Sequence, residues 1–110
     1  MAEEKLANGE PVADNVLVVP LRKAVIANGD EVKELRFREP TGADIERCGT
    51  PVSFEWVAGS DVPKMSYENK SMFAMMSTLA MVPPSTIRMM NAKDWELAAL
   101  MIAHRFFLPD

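Results

Sequence analysis

Cysteine and histidine are nearly absent from this chain. Cys48 is the only cysteine, so no disulfide can close within it, which fits a reducing compartment. His104 is the only histidine. With one of each, a zinc centre would need several carboxylates to complete its ligands, and no tight acidic cluster supplies them. No apolar run reaches the length of a membrane-spanning helix. The opening residues are acidic (Glu3, Glu4, Glu10 and Asp14 against Lys5) and lack the basic start and apolar core of a signal peptide. Positive charge is in deficit, with 12 Lys and Arg against 16 Asp and Glu and a net charge of −4. Non-specific nucleic-acid binding needs the opposite balance. Phosphate-cradling glycine loops, H-E-x-x-H and G-x-S-x-G are all missing. No catalytic residue, cofactor site or metal ligand is assigned, and the chain reads as a non-enzyme.

What is present describes one domain. The 110 residues suffice for a real core, and 48% hydrophobic with 25% charged residues is ordinary for a globular fold. Residues 1–15 hold few apolar anchors and read as a flexible acidic tail. The rest, 16–110, reads as a single α+β domain: an N-terminal β-hairpin packed on a small C-terminal bundle of two to three helices.

The hairpin spans 16–39. Two β-rich runs flank Asn28-Gly29, residues that tolerate the positive φ of a tight turn. Pro20 suits an edge or a bulge. The inward phase of the first strand is ambiguous, because Leu21 and Val25 share their face with Lys23. The second strand is clearer, with Leu35 and Phe37 alternating with Arg36 and Arg38. Arg22, Lys23, Lys33, Arg36 and Arg38 are interleaved with Glu31, Glu34 and Glu39, which predicts cross-strand ion pairs rather than a DNA-reading ribbon.

Pro40 ends the strand, and Thr41 stands three residues before Asp44, close to a capping box that opens a short helix over 41–48. Glu34, Glu39, Asp44 and Glu46 read as a solvated charged edge, and Cys48 as a packing residue. Residues 49–65 read as a long loop, in which Phe54, Trp56 and Val57 form a short extended piece pinned to the core. Ser66 then starts a helix over 66–82, ended by Pro83-Pro84. A single turn follows over 85–90. Asn91, three residues before Asp94, caps a last helix over 92–107 with an acidic first turn. His104, near the end of that helix, reads as exposed or partly packed.

Methionine is the distinctive residue. Of nine, all but Met1 lie from Met65 onward. Such flexible, polarisable side chains suit surfaces that accept varied apolar partners, and they also fill cores. Helical spacing places Met72, Met76 and Met101 in the core. Met75, Met89 and Met90 fall off the main stripes, where core and partner-facing readings both stand. The last helix is apolar around most of its circumference, so a partner could cover part of it.

The order of these pieces resembles the bacteriophage tail assembly chaperone family, the small proteins of Mu-like and P2-like contractile-tailed phages (the tail assembly protein E type). The resemblance rests on Leu35-Arg36-x-Arg38-x-Pro40-Thr41-Gly42-Ala43-Asp44-Ile45, similar to the family's LR-x-P-x-x-G-D-L/I corner. It extends through the short turn, Asp94 at the next helix start, and Phe106-Phe107, from Val16 to Leu108. The Phe54–Val57 piece and the long middle loop depart from shorter members.

The resemblance implies a non-enzymatic protein in the host bacterial cytoplasm. Its implied partners are the tape measure protein, kept soluble during assembly, and the tail tube protein that polymerises around it. It further implies absence from the finished tail and a longer, frameshifted form. No cofactor, nucleic acid or membrane enters this reading, and a homo-oligomer stays open. The partner-binding face is assigned to Met75, Met81, Met89, Met90, Leu97 and Met101. Replacing Met75, Met89 and Met90 by Glu is expected to abolish client rescue without unfolding. Two other classes stand beside this one. A structural tail or head component would copurify with particles, and a small DNA-binding regulator would bind with steep salt dependence.

Overall fold

Asn28 and Gly29, at φ 53° and 86°, turn the first strand back on the second. In the computed structural model, which describes residues 16–108, this antiparallel hairpin comprises β1 (Val16–Ala27) and β2 (Asp30–Arg38). The remaining elements are α1 (Gly42–Cys48), β3 (Val52–Glu55), β4 (Lys64–Tyr67), α2 (Asn69–Ala80), α3 (Pro84–Arg88) and α4 (Ala92–Ile102). A π-helical turn, Ala103–Phe107, extends α4. The fold is α+β, with an N-terminal hairpin followed by packed helices, as expected. The acidic tail assigned to residues 1–15 lies outside the described residues.

β1 is longer than its partner, and its excess is concentrated in one place. Residues 16–20 pair with 34–38 and residues 25–27 with 30–32, leaving 21–24 opposite Lys33 alone. This bulge resolves the strand's ambiguous phase. It follows Pro20, which has no N–H to donate to a ladder. Leu17, Val19, Val25 and Ala27 are buried, while Ile26 faces out.

The bulge frees backbone donors that must find acceptors. Asp94, in the first turn of α4, supplies them. Its carboxylate accepts the Arg22 N–H at 3.1 and 3.0 Å and the Lys23 N–H at 3.0 Å. Asp94 is fully buried. The Asn91 side chain caps α4 alone, accepting from the Lys93 N–H. A second clamp lies nearby, where the buried Thr86 hydroxyl of α3 donates to the Ile26 carbonyl at 2.7 Å.

The corner after β2 is built around Asp44. Thr41 and Asp44 form the capping box, the threonine hydroxyl accepting from the Asp44 N–H and the carboxylate accepting from the Thr41 N–H at 2.8 Å. Arg38 donates to both carboxylate oxygens of Asp44, at 2.8 and 3.0 Å. Asp44 is buried, which corrects its reading as part of a solvated edge. The hairpin charges also differ from expectation. Among the described residues the ion pairs are Arg36–Glu34, within one strand, and Arg38–Asp44, from strand to helix. Neither crosses the ladder. Gly49 ends α1 at φ 85°, where an added Cβ would lie 2.7 Å from the Ser71 hydroxyl.

The expected loop over 49–65 is largely a second hairpin. β3 pairs antiparallel with β4, Ser53 facing Ser66 with their hydroxyls 2.9 Å apart. Ser66 therefore belongs to a strand, and α2 begins at Asn69. Val52, with the half-buried Met65 and Tyr67 of the facing strand, pins this hairpin to the core. Phe54, Trp56 and Val57 are exposed.

α2 packs on β2 and α4 on β1. Val19, Leu35 and Phe37 meet Met72, Met75, Met76 and Leu79 of α2, and Trp95, Ala98, Ala99 and Ile102 of α4, in one core. Full burial of each large side chain stabilises the fold by roughly 1.5–3 kcal/mol. The buried face of α4 runs along Trp95, Ala98, Ala99 and Ile102, with Phe106 half-buried at its end.

Candidate functional site

The helices leave apolar surface open. At its centre Phe73 of α2 meets Trp95 of α4, ring centroids 5.0 Å apart and planes inclined by 35°. Such tilted aromatic contacts are favourable beyond their area. Phe73 stays 37% exposed, whereas Trp95 is buried beneath it. The Trp95 indole N–H is enclosed without a hydrogen-bond partner.

This pair floors a groove. One part, of about 480 Å³, lies between α2 and α3, against Lys70, Phe73, Ala74, Pro84 and Arg88. An adjoining part of about 290 Å³ shares Phe73 and Arg88 and continues past Ile87, Met90 and Trp95 to Glu96. The Pro83-Pro84 break makes the groove possible. It lies between the end of α2 at Met81 and the start of α3 at Pro84, and Phe73 is left uncovered. Phe73 follows the buried Met72 directly in α2, and nothing in the spacing marks it as left open.

The residues assigned to a partner face fall into three groups. Met81, Met89 and Leu97 are exposed, at 77%, 52% and 40%. Met101 is half-buried and packs against the core. Met75 is fully buried, and Met90 is 9% exposed. The partner-facing reading of these last two is corrected: α2 turns Met75 to the core beside Met72 and Met76, and Met90 walls the groove from within. A triple glutamate change at Met75, Met89 and Met90 would place charge in the core and unfold the chain. Leu100, one turn from Leu97 and 42% exposed, extends the outer face of α4.

Met81 carries a further feature. It ends α2 in the left-handed conformation, φ 59° and ψ 44°, a position usually held by glycine. The Val82 N–H reaches back to the Ser77 carbonyl at 3.1 Å, and the Ser77 hydroxyl donates to the Val82 carbonyl at 2.6 Å.

A second apolar groove, of about 450 Å³, runs along the second hairpin between Phe54, Trp56, Val62, Pro63, Met65 and Leu108. Sequence reading placed this stretch in a loop, although its aromatic and aliphatic content was visible. A polar hollow lined by Arg22, Lys23, Asn91 and Lys93 lies over the bulge. His104 is exposed, and Cys48 is half-buried with its sulfur 3.5 Å from the Thr78 hydroxyl. Among the described residues no group of His, Cys, Asp and Glu could hold a metal ion, and no helix is long and apolar enough to cross a membrane.

No protein-family model, curated protein or solved structure matches the chain.

Proposed function

We propose that this protein is a phage tail assembly chaperone, a non-enzymatic binder that holds apolar helical segments of the tape measure protein in the host bacterial cytoplasm while the tail tube protein assembles around them. The observation that carries this reading is the open apolar surface of the helices. Phe73, Met81, Met89, Leu97 and Leu100 all stand exposed on α2, α3 and α4 or at their ends, on a chain of 110 residues. Exposed apolar side chains gathered on adjoining helices suit the capture of an amphipathic helix. The resemblance of the Leu35–Ile45 corner to the tail assembly chaperones names the client.

Co-expression tests it. A helical tape measure segment that is insoluble alone should become soluble with this protein. Met81→Glu, Met89→Glu and Leu97→Glu together should abolish the rescue while leaving the far-UV circular dichroism unchanged. A segment that stays insoluble with the intact protein would count against the reading. Copurification with mature particles would favour a structural tail or head component instead.

A further inference from the structure

We infer that the Phe73–Trp95 groove is a docking site for an acidic amphipathic helix of a protein partner, one that inserts a large apolar side chain between two flanking carboxylates. The inference rests on reading this surface as a docking site, but not on the tape measure protein being the occupant.

Charge selects the occupant. The chain is acidic overall, at −4, yet the wider end of the groove carries two cations, Lys70 on α2 and Arg88 on α3. Among the described residues neither takes part in an ion pair, and both are exposed at the groove's rim. The floor between them is apolar and aromatic. It accepts a buried side chain, while carboxylates beside that anchor on the bound helix reach the two cations at the rim. Glu96, at the narrow end, is among the described residues the single acid against the groove and opposes a carboxylate there. This sets polarity: the acidic flank of the partner lies toward Lys70 and Arg88. Rim charges of this kind select partners and speed their encounter more than they add affinity.

The probe is a synthetic helical peptide of about four turns, with leucine and phenylalanine on one face and glutamate elsewhere. Its control carries lysine at every glutamate. The chain has two tryptophans, so Trp56→Phe leaves Trp95 as the sole reporter on the groove floor. In this variant the glutamate peptide should shift Trp95 emission in a saturable way, with affinity falling as salt rises. The lysine peptide should bind at least about tenfold more weakly. Adding Lys70→Glu and Arg88→Glu, both at exposed positions, should reverse that order, and circular dichroism checks that the fold persists.

Equal binding of the two peptides, absence of any Trp95 response, or an order unchanged by the charge reversal would each overturn the inference. Client rescue that survives the charge reversal would place the client elsewhere and leave the chaperone reading standing. Loss of client rescue by the intact protein, with peptide selectivity retained, would do the opposite.

Discussion

The carboxylate of Asp94 grips the backbone N–H of Arg22 with both oxygens, at 3.1 and 3.0 Å, across 72 residues of chain. One oxygen also takes the Lys23 N–H. A buried side chain thus completes the hydrogen bonding that a bulged strand cannot complete with its own partner. Asp94→Asn should destabilise the fold by about 2–3 kcal/mol, because an amide directs one NH₂ group at donors it cannot accept. Asp94→Ala should do at least as much damage. Urea unfolding midpoints measure both. A change below about 0.5 kcal/mol for either variant would show that the bulge amides are satisfied another way.

Asp44 makes stability depend on acid. The Arg38 guanidinium, and next the Thr41 N–H, hold its carboxyl well below the ordinary carboxylate range, outweighing the opposing effect of burial. The group is therefore depressed in the folded state. Its contribution is present above the unfolded value of about 3.9 and fades as pH falls below it. Arg38 is 40% exposed, so solvent screens the pair and the contribution is at most about 1 kcal/mol. Urea midpoints taken between about pH 6 and about pH 2 should fall less steeply in Arg38→Gln than in the wild type. Parallel curves would refute this role.

Met81 separates stability from binding. As a left-handed residue with a Cβ it strains the end of α2, so Met81→Gly should raise stability by roughly 0.5–1 kcal/mol. If its exposed side chain meets a client, the same change should weaken client rescue. Thermal unfolding and co-expression of one variant read the two effects. Rescue at full strength in the stabilised protein would remove Met81 from the binding face.

The first hairpin, the corner after it and the last helix were legible because each carries a local signal. Asn28-Gly29 dictates a turn, Pro40 a stop and Thr41 with Asp44 a cap. The second hairpin was not legible. Its strands have four residues each, its outer faces are exposed, and Ser53 and Ser66 look like loop residues until they face one another. Asp94 sat at a helix start, where an acid has an ordinary explanation, and its actual partners are backbone groups that no side-chain pattern announces. Met75 was misplaced because α2 is apolar on more than one side, so spacing alone could not choose its inward face. The groove is lined from α2, α3 and α4 together, a property of tertiary packing that sequence periodicity does not carry.

The clamp on the bulge also sets a clock on biosynthesis. Arg22 and Lys23 leave the ribosome long before the carboxylate that pairs with them, 72 and 71 residues earlier. At about 5–20 residues per second, that gap is roughly 4–14 seconds. During it the nascent hairpin holds unpaired amides and an uncovered apolar face. A chaperone that protects nascent chains would find its opportunity in that interval, and a ribosome pause between the hairpin and α4 would lengthen it.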